Sequence, residues 1–305
     1  QIFVIIVYEY DCRGQTMVDE RRMSRRKFLA KAVRTLAGVA IGTVAGAIYM
    51  NKLEPHWIEI NRVPIKHSAI PPSFHRFTIA QFSDTHLGFH FDLNQLEKVV
   101  QLIQKEKPDL IIFSGDLVDN LLTFIEIQET ILLLNELQAP CGKFAVYGNH
   151  DHGGYGSEKY VHIMEAAGFN LLMNEAVPIV KQKERIMLAG IDDWLLGKPD
   201  LDRTLRGLTQ KTFNILISHV PDIADITKYY PVHLQISGHS HGGQFQLPFF
   251  GPIITPPLGK KYPEGLYEMG DDFLLYVNRG LGTTRLPYRF LARPEITVFS
   301  LHHFH

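Results

Sequence analysis

Short apolar runs that each break off at a polar cluster constrain this chain more than any other feature. Phe77–Phe82 ends in Ser83-Asp84-Thr85-His86, the run 109–114 ends at Gly115-Asp116, and 143–147 ends in Gly148-Asn149-His150-Asp151. Between them, Leu96, Val99, Val100 and Ile103 recur at helical spacing within 93–105, and 124–137 reads as a second helical stretch. Strand, loop and helix alternate, which is the pattern of an α/β sheet with parallel neighbours. In such sheets the loops beyond the carboxyl ends of the strands converge on one crevice, so the three polar clusters are expected to share a site. Further strands are predicted over 185–190, 213–218, 233–237 and 273–278, two of which deliver His219 and the run Gly238-His239-Ser240-His241 at their ends. One α/β domain over 74–301 accounts for the pattern, with 302–305 as a tail.

Ahead of that domain lies a different kind of segment. Ser24-Arg25-Arg26-Lys27-Phe28-Leu29-Ala30-Lys31 precedes a stretch, 32–49, in which Arg34 is the one charge and glycine and alanine abound. A basic region followed by an apolar one reads as an export signal, and the paired arginines before Phe-Leu resemble a twin-arginine signal. The expectation is a chain exported by the twin-arginine machinery and then membrane-anchored or cell-wall associated. Residues 23–50 are the signal or anchor, and 1–22 are an upstream extension, with Met17 or Met23 as the start. Residues 51–73, which hold Pro55, Pro64, Pro71 and Pro72, read as a linker or an irregular strand.

Composition narrows the chemistry. The 305 residues are 45% hydrophobic, enough for a full core, and the formal net charge of -1 provides no global basic field for nucleic acid. Cysteine occurs only at Cys12 and Cys141, which excludes a disulfide framework and a thiolate metal site. Any metal must be held by histidine, aspartate and asparagine. His302, His303 and His305 read as a solvated tail, and His90, His152, His162 and His233 fall outside every polar cluster named above.

Carboxylates, a carboxamide and imidazoles at successive strand ends are hard and borderline donors, suited to Mn, Fe, Zn or Mg and to a catalytic site with positions open to water. The glycines at 115, 148 and 238 fit tight turns that aim the next side chain outward. In order, Asp84-x-His86, Gly115-Asp116, Gly148-Asn149-His150-Asp151, Ser218-His219 and Gly238-His239-Ser240-His241 resemble the signature of the calcineurin-like metallophosphoesterase superfamily.

That resemblance implies a four-layer sandwich, two mixed β-sheets flanked by helices, and a phosphohydrolase with two divalent ions, manganese being favoured. One ion would take Asp84, His86 and His241, the other Asn149, His219 and His239, with Asp116 shared. A metal-activated hydroxide would attack phosphorus in line. His150 matches the position that protonates the leaving group or steadies the phosphoryl oxygens, and Asp151 is expected to orient that imidazole.

Gly242-Gly243-Gln244, the proline-rich segment after it, Asn278-Arg279-Gly280-Leu281-Gly282 and Arg293-Pro294-Glu295-Ile296 resemble a bacterial membrane-associated branch. That branch includes twin-arginine-exported phosphodiesterases and relatives of UDP-diacylglucosamine pyrophosphatase. The proline-rich segment is expected to lie over the site. Arg279 and Arg289 are candidate substrate-binding residues, since guanidinium forks there lie among Leu281, Leu286, Tyr288 and Phe290 and suit a lipid- or wall-linked phosphoester. Three activities compete at this point: a phosphodiesterase, a pyrophosphatase of a lipid-linked nucleotide sugar, and a metal-bearing wall- or membrane-binding module with little turnover. A nuclease is disfavoured by the neutral charge and the export signal.

Overall fold

A computed structural model describes residues 6–10, 16–20, 24–152, 157–270 and 272–304, so Cys12, Met23 and His305 lie outside the described residues. The chain divides into two compact units, Gln1–Tyr49 and Met50–His305. In the first, β1 (Ile6–Tyr10) and β2 (Thr16–Glu20) pair antiparallel. There too, α1 (Arg25–Ile48) starts at Ser24, whose hydroxyl accepts the Lys27 N–H. The charges of α1, Arg25, Arg26, Lys27, Lys31 and Arg34, all lie in its first ten residues, and Val33, Leu36, Val39, Ile41 and Val44 are exposed. The helical run over Arg25–His56 is long and apolar enough to cross a membrane.

The strands of the second unit are, in chain order, β3 (Glu59–His67), β4 (Phe77–Phe82), β5 (Leu110–Phe113), β6 (Lys143–Ala145), β7 (Phe169–Leu171), β8 (Glu175–Lys181) and β9 (Glu184–Gly190). They continue with β10 (Asn214–Ile217), β11 (Leu234–Ser237), β12 (Gln246–Leu247), β13 (Gly251–Pro252), β14 (Gly265–Glu268), β15 (Leu274–Val277) and β16 (Glu295–His303). The helices are α2 (Leu93–Glu106), α3 (Ile127–Asn135), α4 (Ser157–Ala166), α5 (Leu201–Thr204) and α6 (Ala224–Thr227). Two six-stranded sheets result, in the orders β3-β16-β4-β5-β6-β7 and β14-β15-β11-β10-β9-β8. Both are mixed: β16 runs antiparallel to β4 in the first, and β14 and β8 are antiparallel edge strands in the second.

Side-chain alternation assigns the layers. In β5, Leu110 and Ile112 join a core cluster shared with Ile215, Ile217, Leu234 and Ile236 of the other sheet, while Ile111 and Phe113 join Val99, Ile103, Leu134 and Ile163 from the helices. Because successive strand residues face opposite sides, a wholly apolar strand has to be covered on both. On the far face of the second sheet, Leu216 and Val277 pack with Leu201, Val220 and Ala224. The order is helix, sheet, sheet, helix, the four-layer sandwich expected from the resemblance.

Local signals explain the boundaries. Asp92 and Gln95 form a reciprocal capping box at the start of α2. The second helix starts at Ile127 rather than near Phe124, because Asn120 closes a turn over the intervening residues: its side-chain oxygen accepts the Leu122 N–H and its carbonyl the Phe124 N–H. Two segment assignments change. Residues 51–73 are not a linker, since β3 pairs with β16 in parallel from Glu59↔Glu295 to His67↔His303. Nor are His302 and His303 a free tail: both belong to β16, and the His303 ring bonds the Ile70 carbonyl.

Candidate metal centre

The strand ends meet as the topology requires. Asp84 and His86 follow β4, Asp116 follows β5, Asn149, His150 and Asp151 follow β6, His219 follows β10, and His239 and His241 follow β11. Three groups of possible ligands form there: Asp84, His86 and His241; Asp116, His219 and His239; and His86, Asp116 and His150. Asp116 is central, its Oδ2 lying 3.5 Å from His86 Nε2 and 3.3 Å from His219 Nε2. On the Asp84 side, its Oδ1 is 3.5 Å from His241 Nε2.

The imidazoles are turned so that lone pairs face inward. His219 Nδ1 donates to the Ser114 carbonyl at 2.8 Å, and His239 Nε2 donates to the Pro257 carbonyl at 2.8 Å. Each bond fixes the tautomer and leaves the other nitrogen as a ligand atom. Those remaining nitrogens, His219 Nε2 and His239 Nδ1, lie 3.1 Å apart, and His86 Nε2 lies 3.2 Å from His241 Nε2. Burial, with His86 beside it, holds His241 well below the ordinary imidazole range, and burial with His219 beside it pushes His239 down to about 3. In the neutral form in which they would bind a metal, imidazoles whose lone pairs converge repel each other, although without an ion Asp116 and Asp84 keep His219 charged. A cation between them removes that conflict, and the buried Asn149 Oδ1, which lacks a hydrogen-bond partner, is a further donor of the right kind. The donor set therefore fits divalent cations.

Opposing influences act on the carboxylates. Burial works to raise Asp116, but the charges of His219, His150 and His86 hold it well below the usual carboxylate range. Conversely, burial works to lower His219, yet Asp116 and Asp84 bring it up to about 10. Asp84 is raised, chiefly by burial, and its carboxylate accepts the His239 N–H at 3.0 Å.

Backbone geometry shows how tightly the centre is built. Asp84, His86, Asp116, His239 and His241 all have left-handed φ, between 46° and 69°. Each non-glycine residue there costs on the order of 1 kcal/mol or more, a strain that persists only where surrounding contacts over-determine it. Glycine supplies the close approaches. A Cβ on Gly148 would fall 2.2 Å from Asp116 Oδ1, and one on Gly238 would fall 2.4 Å from Asp84 Oδ2. Gly148 and Gly238 thus act through missing volume, and Gly115 through both its backbone conformation, at φ +102°, and missing volume, since a Cβ there would fall 2.6 Å from the Gly148 nitrogen.

Two expected roles change. Asp151 does not orient His150. Its carboxylate accepts the backbone N–H groups of Asp116 at 2.6 Å, Leu117 at 2.9 Å and Gly148 at 2.9 Å, stitching the β5 and β6 loops together. Burial and then Asp116 push the Asp151 carboxyl up to about 7. His150 is oriented instead by Asp119, whose carbonyl lies 2.6 Å from Nδ1 and whose carboxylate lies 3.9 Å away. The same carboxylate is 3.4 Å from His86 Nδ1. Asp119 went unnoticed in the sequence, and its spacing of three from Asp116 on one loop is the signal that marks it.

Arg289 is not a phosphate fork. It is fully buried, and its guanidinium donates to the carbonyls of Gly282, Ala292, Arg279 and Gly280, which hold the 279–292 loop closed. Burial, followed by the Arg279 charge, pushes it down to about 9. Arg279 is engaged by Glu59 at 2.7 Å and Glu295 at 2.8 Å, which leaves its fork committed to carboxylates. The proline-rich segment does reach the centre, through Pro257 on His239. Of the histidines set aside, His152 pairs with Asp192 at 2.9 Å, His233 stacks on Phe213, and His90 and His162 are exposed.

Residues 77–243 match the family model described as calcineurin-like phosphoesterase, which covers the centre from β4 to the turn after His241. A metallophosphoesterase of Bacillus subtilis, YkuE, is 51% identical over 92% of this chain and 98% of its own length. The phosphodiesterase YaeI of Escherichia coli is 32% identical over 92% of this chain and 99% of its own. A UDP-2,3-diacylglucosamine pyrophosphatase of Chlamydia muridarum, LpxG, is 27% identical over 87% of this chain and 95% of its own. The chain belongs to the calcineurin-like metallophosphoesterase family and is a phosphoric ester hydrolase.

Proposed function

We propose that this chain is a dinuclear phosphodiesterase acting outside the cytoplasmic membrane on a lipid- or wall-linked phosphodiester. The observation that carries the reading is Asp116 Oδ2, placed between the inward nitrogens of His86 and His219 as a carboxylate shared by two ions would be. Asp84, His86 and His241 would hold one ion and Asn149, His219 and His239 the other. When bound, such ions, manganese in the first instance, polarise the phosphoryl group and lower the pKa of a coordinated water.

The rest of the chemistry falls to this chain's own groups. The His150 N–H donates to Asp116 Oδ1 at 2.8 Å, which fixes the histidine's backbone against the shared carboxylate. With Nδ1 donating to Asp119, Nε2 is the atom that exchanges a proton with the departing oxygen. Burial works to lower the His150 pKa, but Asp116 and the Asp119 contacts raise it, a shift toward the form that donates.

The diester reading is supported by the relative named a phosphodiesterase, and the amphiphilic substrate by the relative named for an acylated nucleotide sugar. Arg25-Arg26 at the start of the apolar helix supports twin-arginine export. Hydrolysis of bis-p-nitrophenyl phosphate by the manganese-loaded full chain tests the reading. Turnover abolished by Asp116→Asn and reduced by His150→Ala supports it, and no turnover with any divalent metal despite two bound ions sinks it in favour of the binding module.

A further inference from the structure

Directly after His241 the chain builds an apolar projection. β12 and β13 pair as a short ribbon, Leu247↔Gly251, whose tip holds Phe249, fully exposed, and Phe250, 86% exposed. Ile253 and Ile254 beyond it are also exposed. Exposed aromatic and aliphatic residues concentrated at one tip mark a surface that something apolar covers.

What covers it follows from the elements tied to its base. Gln246 N–H donates to the Phe290 carbonyl at 2.9 Å, Phe290 N–H donates to Gln244 at 2.8 Å, and the Phe245 and Phe290 rings lie 5.1 Å apart. The next residue back, Arg289, donates its N–H to the Met50 carbonyl at 2.9 Å, and Asn51 donates to the Pro287 carbonyl at 2.8 Å. The ribbon is therefore anchored, through 287–290, to the first residues of the second unit, two positions after the apolar helix α1 ends at Ile48. Exposed Leu286, Tyr288 and Leu291 flank this connection, and Trp57 lies nearby in sequence with Arg293 3.7 Å over its ring. Tryptophan, tyrosine and basic residues beside exposed aliphatic ones are what a membrane interface selects.

We propose that the ribbon tip, Phe249 and Phe250 with Ile253, Ile254 and Leu286, inserts into the acyl boundary of the lipid bilayer and seats the mouth of the metal centre against it. The seating matters because the ribbon starts at the turn that carries His241, so its depth in the lipid sets the height of the centre above the membrane. Insertion of the surface can succeed or fail whether or not the ester class proposed above is right.

The test uses the full chain reconstituted in vesicles of phosphatidylethanolamine and phosphatidylglycerol that carry a doxyl-labelled lipid. Phe249→Cys and, separately, Phe250→Cys, with Cys12 and Cys141 replaced by serine, are labelled with an environment-sensitive fluorophore. Val180→Cys, exposed on the edge strand β8, is the reference. Emission at 249 or 250 should shift to the blue and be quenched about twofold or more by the lipid-borne label, while 180 is untouched. Emission at 249 and 250 indistinguishable from that at 180 would overturn the proposal. So would self-quenching of the tip label in detergent micelles at high protein, since the tip would then contact a second copy. Hydrolysis of the soluble diester by each labelled chain reports folding and the chemical reading independently of insertion.

Discussion

Asp151 offers the sharpest test of how the centre is held, because it lies behind the proposed ligands and binds no ion itself. Its two oxygens accept three backbone N–H groups, Oδ2 from Asp116 and Gly148 and Oδ1 from Leu117. Asp151→Asn can keep the pair on one oxygen, but its amide nitrogen must then face the Leu117 N–H. One bond is lost and a buried donor is left unpaired, costing about 1–3 kcal/mol. Asp151→Ala strips all three donors and leaves a void, costing about 4–6 kcal/mol. Since one of the three bonds fixes Asp116 itself, both variants should also bind the shared ions more weakly. Urea unfolding of the metal-free chain gives the stability change without the ions, and metal content after gel filtration gives the second readout. If both variants stay within about 0.5 kcal/mol of the wild type, or alanine costs no more than asparagine, the carboxylate does not organise the two loops and the reasoning fails.

Other outcomes follow from the same geometry. Gly238→Ala forces a methyl to within 2.4 Å of Asp84 Oδ2, so diester turnover should fall by about tenfold or more through displacement of that side chain, read as kcat at saturating manganese. Arg289→Lys should lower stability by about 2–4 kcal/mol because one ammonium cannot serve four carbonyls; the KM for a small diester should not change in a chain that remains folded. Chelation with EDTA should lower the unfolding temperature, by about 2.7 kcal/mol of stability for a site held at a hundredfold excess over Kd, and Asp116→Asn should abolish most of that difference.

The buried ring of His233 accepts the Asn214 N–H, stacks on Phe213 and faces His67, and burial pushes its pKa from 6.5 down to about 4. His67 is lowered as well, by burial, against the pull of Asp272. The unfolded chain takes up the His233 proton near 6.5 and the folded chain only near 4, so stability is intact above 6.5 and is lost as pH falls through that window. The loss should reach about 2 kcal/mol between pH 7 and pH 5, and His233→Gln should lack that component in denaturant titrations.

Much of the centre was legible because its chemistry is tied to local pattern. Apolar runs covered on both faces announce strands, and polar residues at their ends announce a crevice, so Asp84, His86, Asp116, Asn149, His219, His239 and His241 stand out as candidate donors in the sequence alone. The second helix was placed too early because the Asn120 turn competes locally with helical periodicity. Asp119 is marked in the sequence only by its spacing of three from Asp116, and its role shows only in its contacts with His150 and His86. β3 escaped because its prolines and mixed polarity read as irregular, whereas its pairing is with a strand more than two hundred residues later. Arginines cannot be assigned from composition: Arg289 and Arg279 lie among apolar residues in the sequence, and only packing reveals that their forks are already taken by carbonyls and carboxylates.

The sequence by itself determined the identity of the candidate donors, the order in which strands deliver them and the apolar helix at the start, since all three are written in neighbouring residues. Only the tertiary structure decided which nitrogen of each imidazole faces inward, what Asp151 and Arg289 hold, and where the ribbon after His241 projects. Those depend on partners distant in sequence: the carbonyls of Ser114 and Pro257, the N–H groups of three loop residues, and Met50 beneath the 287–290 loop. A side chain's chemistry is local, but the direction in which it can act is set by whatever the fold packs against its other face.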